Sequence, residues 1–261
     1  MKTKKIREVI SSDVPSVTVP ESWEKVKFSQ FRDICKLFAA DISATTFDSL
    51  LFLKLAGIRV IGFDSAEDES SSFCIVNIRG KFHMIGKDVG GFAVECVQWV
   101  HSVAPMKAVA AFMPSVHKSA IDPKMSGSSF GEFLAADNVY SGYVATGRAD
   151  LADRLVRVAW PKLRKIRPWH RPAAVIWFSS LKNYLADSFQ DLYSEADSSD
   201  IFAGNHNSPA AVKEAVNAQI RALTKGDITV EKEVLAAPLY RALTELDQLA
   251  KEYKELKNIG K

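Results

Sequence analysis

The fold is decided by residues 126–160, which read SGSSFGEFLAADNVYSGYVATGRADLADRLVRVAW. Glu132 follows Ser129 at the spacing of a capping box, so a helix is expected to begin at Ser129, or one residue earlier at Ser128. After a break at Gly147, a second helix is predicted. Apolar residues recur close to the helical period in both runs: Phe130, Phe133, Leu134, Val139 and Tyr143, then Leu151, Leu155, Val158 and Ala159. The stretch therefore predicts an αα-hairpin with further helices packed round it.

The composition limits the classes of protein that the chain can belong to. Its 261 residues are 47% apolar and 25% charged, which is ordinary for a globular protein of one large domain or two modest ones. The net charge of +3, from 34 basic and 31 acidic residues, argues against a nucleic-acid coat or a membrane-surface protein. No apolar run approaches the roughly 20 residues that span a bilayer, and the N-terminus lacks the apolar core of a secretory signal. We therefore expect an intracellular protein with no membrane segment.

Three regions are predicted along the chain. Residues 1–20 carry two prolines and basic side chains, so we expect a flexible arm or an edge strand there. Residues 21–197 are expected to form the main helical domain, onto which Trp23 anchors the chain, with a β-element near residues 58–86. Residues 208–261 are expected to form a C-terminal helical region. The polar loop between these last two ranges is the predicted boundary.

Local signals predict where several helices begin and end. Ser29 is expected to cap the first helix, and either Asp41 or Ser43 the second. The apolar run at residues 92–100 predicts another helix. A long connector through Pro114 is then expected to lead to the central hairpin.

A single convincing β signal lies in the first third of the chain. Residues 72–78 and 81–86 read as two strands around a tight turn at Arg79-Gly80. Residues 58–61 add a third strand in one interpretation, because an isolated hairpin is marginal in water. The predicted fold class is mainly α, a multi-helix domain with one small antiparallel β-hairpin or three-stranded element.

The residues that could carry chemistry do not form a recognisable catalytic or metal-binding pattern. None of the five histidines shares helical spacing with another histidine or with a cysteine, which a local metal site would need. Ser179 and Ser180 lie in an apolar helix and not in a nucleophile turn, and Gly90-Gly91 lacks the rest of a phosphate loop. Cys35, Cys74 and Cys96 are expected to be reduced thiols. We therefore predict no catalytic residues, no metal and no cofactor.

The basic segment at residues 161–172, PKLRKIRPWHRP, is the one candidate for contact with nucleic acid. Arg164, Lys165 and Arg167 would contact phosphates, and Trp169 would stack on a base. The alternative is a solvated or partner-facing loop anchored by its tryptophans. Because the rest of the chain is close to neutral, we favour this alternative and expect no binding of nucleic acid at physiological salt.

The C-terminal helix is predicted to begin after the break at Pro238 and to carry an apolar stripe to its end. The stripe could be core or a partner-binding edge. Packing on its own domain is favoured for most of it, whereas the last turns have fewer elements of the chain to cover them. The predicted partner-binding residues are Leu246, Leu249, Tyr253 and Leu256.

Several stretches of the chain resemble a known family. The matching pieces are residues 19–26 with Gln30-Phe31, residues 50–57, residues 129–133 with 155–160, and residues 223–229. In these pieces the chain resembles small helical proteins from the virion-assembly gene blocks of tailed bacteriophages, and it is similar in setting to tail-assembly chaperones. Such chaperones hold the tape-measure protein soluble until the tail tube polymerises round it.

The resemblance implies a non-enzymatic assembly factor that binds helical segments of a phage tail protein in the cytoplasm of the infected host cell. It supplies no catalytic residues. A virion structural component at the head–tail junction, tail or baseplate is the alternative function, and a nucleic-acid-binding accessory protein is the second alternative. A homo-oligomer is left open.

Overall fold

The chain forms two compact units, Met1–Ser102 and Val103–Lys261. The predicted class is confirmed, because the chain is mainly helical with one small three-stranded antiparallel sheet. Most of the predicted arm lies outside the described residues, and residues 16–20 carry neither helix nor strand. The computed structural model describes residues 16–64, 73–86, 94–193 and 209–259.

The first unit contains two helices and the sheet. Its elements are α1 (Phe28–Phe38), α2 (Ala44–Leu55), β1 (Ile58–Asp64), β2 (Phe73–Ile78) and β3 (Lys81–Gly86). Short 3-10 turns lie at Trp23–Lys25 and Gln98–His101. Trp23 is buried and donates from Nε1 to the carbonyl oxygen of Ser102 at 3.1 Å, and its ring meets that of Trp99 edge-on at 5.3 Å. The prediction that Trp23 anchors this part of the chain is confirmed.

One predicted helix start in this unit is correct and the other is wrong. The Ser43 side chain accepts a hydrogen bond from the backbone of Thr46 at 3.2 Å and caps α2, which settles the choice against Asp41. Ser29, however, lies inside α1, which begins after Lys27. The backbone N–H of Lys27 donates to the Gln30 side chain at 2.9 Å. The side chain that satisfies a backbone group at this helix start is therefore Gln30 and not Ser29.

The sheet has the strand order β1-β2-β3 with all neighbours antiparallel. Val76 on the central strand pairs with Val60 on one side and His83 on the other. Arg79 and Gly80 both have positive φ, 51° and 88°, as a turn that follows the strand twist requires. The three-stranded form of the predicted β-element is therefore the observed one.

Two predictions in the next part of the chain are wrong. Residues 94 and 95 of the helix predicted for residues 92–100 are helical, but residues 96–101 form a turn and the 3-10 turn Gln98–His101 instead. The predicted connector through Pro114 is a helix, α3 (Met106–Val116). Pro114 lies in the last turn of α3. Its missing N–H therefore costs the helix one hydrogen bond only two residues before the helix ends. The buried face of α3 comprises Met106, Ala108, Val109, Phe112 and Met113.

In the described part of the second unit, helices are the regular elements, joined by loops and one isolated β-bridge. After α3 come α4 (Phe130–Thr146), α5 (Ala149–Ala159), α6 (His170–Ser188), α7 (Gln190–Tyr193), α8 (Pro209–Thr224), α9 (Glu231–Ala236) and α10 (Leu239–Ile259). The boundary predicted between residues 197 and 208 lies outside the described residues, and the helices on both sides of it belong to this one unit. The two compact units therefore meet at residues 102 and 103, whereas the sequence placed the boundary between residues 197 and 208.

The predicted αα-hairpin is present as α4 and α5. The Ser129 hydroxyl accepts from the N–H of Glu132 at 3.2 Å, and the Glu132 carboxylate accepts from the N–H of Ser129 at 2.8 Å, which completes the capping box. Gly147 has φ +67° and ends α4 in the left-handed conformation. The fully buried face of α5 is shifted by about one residue from the predicted stripe and comprises Ala152, Leu155, Val156 and Ala159.

A backbone clamp ties the start of α4 to the start of α10. The N–H of Phe130 donates to the carbonyl oxygen of Ala237 at 2.8 Å, and the N–H of Leu239 donates to that of Ser128 at 3.0 Å. Ser129 and Pro238 are 109 positions apart in the sequence, yet they form an antiparallel bridge. The clamp explains why the C-terminal region joins the unit that contains the hairpin.

Close packing at Gly131 depends on the missing side chain. A Cβ atom at this position would lie 3.0 Å from the carbonyl oxygen of Leu235 on α9. We expect Gly131→Ala to lower the free energy of unfolding by roughly 1–2 kcal/mol, because the backbone of α9 must move away from α4. Gly127→Ala is the matched control, since nothing lies within 4 Å of its Cβ position. Urea unfolding with equal midpoints for both variants would contradict the expectation.

His83 is a buried polar side chain without a hydrogen-bond partner among the described residues. Both of its ring nitrogens are buried in this way, so the side chain retains a desolvation penalty that no described residue offsets by a hydrogen bond. We expect His83→Leu to raise the free energy of unfolding by about 1 kcal/mol. Denaturant unfolding of the two proteins measures this, and a clear loss of stability in the variant would show that His83 has a partner in solution.

Candidate functional site

The apolar stripe of α10 passes from the interior of the second unit to its surface. Leu246 is fully buried and Leu249 is half-buried, whereas Tyr253 and Leu256 are 55% and 69% exposed. Residues 249, 253 and 256 follow one another at helical spacing, so the exposed pair continues the buried face and does not lie on the opposite one. The buried part of the stripe comprises Leu239, Ala242, Leu243, Leu246 and Ala250.

The short helix α7 marks where α10 leaves the interior. The N–H of Leu192 donates to the Asp247 carboxylate at 2.8 Å. Two turns further on, the Lys254 ammonium group donates to the carbonyl oxygen of Asp191 at 2.7 Å and lies 3.2 Å from its carboxylate. These contacts fix the helix up to the turn that carries Tyr253. The exposed end is therefore an extension of a well-held helix.

The exposed end of α10 carries apolar side chains beside charged ones. Tyr253 and Leu256 are flanked by the exposed charged residues Lys251, Glu252 and Glu255. A small apolar strip with a charged rim is the surface that one helix presents to another helix or to a groove. The structure thus brings together the four residues singled out in the sequence, two of them in or near the core and two on the surface.

The basic segment has exposed cations, but its tryptophans are not exposed. Arg164, Lys165 and Arg167 are exposed. Trp160 is buried and donates from Nε1 to the carbonyl oxygen of Met113 at 3.0 Å. Trp169 is only 9% exposed. Base stacking by Trp169 is therefore a wrong interpretation, because the face of the indole is occupied by protein.

Backbone hydrogen bonds hold the basic segment in one conformation. The N–H of Lys162 donates to the Ser119 hydroxyl at 3.1 Å, and the N–H of Arg167 donates to Nδ1 of His170 at 2.9 Å. The Arg157 guanidinium donates to the carbonyl oxygen of Leu163, whose side chain is buried. The segment is thus an ordered loop between α5 and α6.

His170 is held neutral and in one tautomer. Its burial, together with the positive charges of Arg167 and His117, lowers its pKa from 6.5 to about 4. Because a backbone N–H can only donate, Nδ1 is the unprotonated nitrogen and Nε2 carries the proton. A ring in this state does not offer Nε2 to a metal ion. Among the described residues, no group of three or more His, Cys, Asp or Glu side chains could hold a metal.

The depressed pKa of His170 makes stability depend on pH. As the pH falls below 6.5, the unfolded chain binds a proton that the folded chain accepts only near pH 4. His170 should therefore lower the free energy of unfolding by on the order of 2 kcal/mol between about pH 7 and pH 5. His170→Asn can still accept from the Arg167 N–H and does not titrate, so this loss should disappear. Urea unfolding at both pH values tests it, and equal pH dependence in the two proteins would contradict it.

Two polar networks were not detected in the sequence. The Tyr240 hydroxyl donates to the carbonyl oxygen of Lys124 at 3.0 Å, and the Lys124 ammonium group donates to the Tyr184 hydroxyl at 3.2 Å. Lys124 lowers the pKa of Tyr184, whereas burial raises that of Tyr240 to about 12. In the first unit, His101 Nε2 lies 2.7 Å from the Asp48 carboxylate. These partners are far apart in sequence, so neither periodicity nor motif spacing indicates them.

Comparison of the chain with protein-family models, with curated proteins and with solved structures gave no match. Within the described part of the chain, no helix has both the length and the apolar character needed to cross a bilayer.

Proposed function

We propose that the chain is a non-enzymatic bacteriophage assembly factor, a tail-assembly chaperone that binds helical segments of a tail protein through the exposed end of α10. The observation that carries the proposal is the exposure of Tyr253 and Leu256 on the same stripe that forms core at Leu246. The resemblance of the chain to virion-assembly proteins supplies the setting, and the exposed stripe supplies a surface that fits it.

The size of the exposed strip favours reversible binding. Full burial of a large apolar side chain contributes roughly 1.5–3 kcal/mol, so two such residues add only a few kcal/mol to an interface. The loss of translational and rotational freedom on association offsets much of this gain. A chaperone has to release its client when the tail tube polymerises, and a narrow apolar strip with a charged rim suits such a cycle.

The proposal is tested by removing the two exposed side chains. Tyr253→Ala with Leu256→Ala should leave the circular dichroism spectrum and the melting temperature nearly unchanged, because both side chains are already in water. Binding of a co-expressed tail protein should weaken by at least about tenfold, because the apolar contact is lost. Co-purification followed by titration of the purified partner measures the effect.

The matched control removes two other exposed apolar residues of the same unit, Val144→Ala with Ile228→Ala. Equal loss of binding in both double variants would show that the end of α10 has no special role.

Mass spectrometry of purified phage particles distinguishes a chaperone from a virion structural component. A chaperone should be absent from them, whereas a fixed copy number would identify a virion component of the head–tail junction, tail or baseplate.

A further inference from the structure

Four cations of the second unit have a carboxylate partner. Each of four pairs joins a Lys or Arg to an Asp at hydrogen-bonding distance or close to it: Arg148 with Asp150, Arg171 with Asp153, Lys182 with Asp137 and Lys254 with Asp191. In each of these pairs a carboxylate compensates the positive charge.

The basic segment is different. Lys162, Arg164, Lys165 and Arg167 are exposed, and none of their side chains forms a hydrogen bond or an ion pair with a described residue. Residues 154–170 contain no Asp or Glu at all, and Asp153 just before them is already used by Arg171. Four uncompensated positive charges within six residues produce a local positive field on a chain whose net charge is only +3.

The conformation of the segment is fixed before anything binds. The buried residues Trp160, Leu163 and Trp169 anchor it, and the backbone hydrogen bonds to Ser119 and His170 hold the turns between them. A partner that docks here does not have to order the loop, so less of the interaction energy is lost to conformational entropy. A merely solvated basic loop would not need so many anchors.

We propose that residues 161–168 form a docking surface for an acidic protein segment, whose carboxylates pair with the two guanidinium and two ammonium groups. Arginine offers paired N–H donors that match the two oxygens of a carboxylate, and Arg164 and Arg167 supply two such groups. The surface consists of different residues from the exposed end of α10. It would therefore give the chain a second contact, independent of the function proposed above.

An acidic protein segment fits this surface better than nucleic acid does. Proteins that bind single strands without sequence preference stack bases on exposed aromatic rings, and both tryptophans here are buried. Binding of a duplex at physiological salt usually rests on more phosphate contacts than four side chains can make. The buried indoles therefore serve as anchors, and the exposed cations are left to recognise carboxylates.

The test uses the full chain and two labelled probes of similar length, a polyglutamate peptide and an oligothymidylate. Fluorescence anisotropy at low and at physiological ionic strength measures the affinity of each. The test variant combines Arg164→Ala, Lys165→Ala and Arg167→Ala. The control variant combines Lys107→Ala, Lys232→Ala and Arg241→Ala, which removes the same charge from other exposed positions of the unit. Circular dichroism and thermal melting show whether each variant is folded.

We expect the test variant to bind the glutamate peptide about tenfold more weakly than the unchanged chain, and the control variant to bind it nearly as well. Equal weakening in both variants would show that the affinity depends only on the net charge of the chain, and this would overturn the proposal. Tighter binding of the oligothymidylate than of the peptide, lost in the test variant, would overturn it in favour of nucleic acid. Absence of peptide binding even at low ionic strength would also overturn it.

Discussion

The backbone clamp between Ser128–Phe130 and Ala237–Leu239 is the constraint on which the second unit depends. Two hydrogen bonds of 2.8 and 3.0 Å place the first turn of α4 beside the first turn of α10. Both are made by backbone groups, so they fix position without regard to side-chain identity. The close approach of Gly131 to α9 is possible because the clamp holds the two segments at this distance.

The clamp also explains why one end of α10 is core and the other is surface. The helix is fixed at its start by α4 and again near Asp247 by α7, and the stripe between these points is buried. Tyr253 and Leu256 lie beyond Asp247 and are 55% and 69% exposed, although Lys254 between them contacts Asp191. The basic segment lies between two buried tryptophans in the same unit, so both candidate surfaces are presented by elements with firm anchors.

Local signals in the sequence were sufficient for the parts of the fold that depend on neighbouring residues. The capping box at Ser129 and Glu132, the cap at Ser43 and the turn at Arg79-Gly80 all involve groups within a few positions of each other. Signals failed where the outcome depends on tertiary contacts. Burial of the apolar face of α3 overrides the helix-breaking tendency of Pro114.

The candidate site divides in the same way. The stripe of α10 could be identified from its helical period alone. The burial of Trp169 could not be read from the sequence, because an aromatic residue in a basic loop is equally compatible with a stacking platform and with an anchor. The hydrogen bonds of Lys124 with Tyr184 and Tyr240 could not be predicted from the sequence either, because the three residues come from distant segments.

The position of the clamp has a consequence for synthesis on the ribosome. The two segments that the clamp joins are separated by roughly a hundred residues. The loop that they close is therefore long, and it forms late. The αα-hairpin can fold as soon as it emerges, but its first turn stays without these backbone partners until Ala237 and Leu239 have been made. The second unit therefore completes its folding only after α10 has left the ribosome, so the stripe of α10 becomes available later than the hairpin to which the clamp ties it.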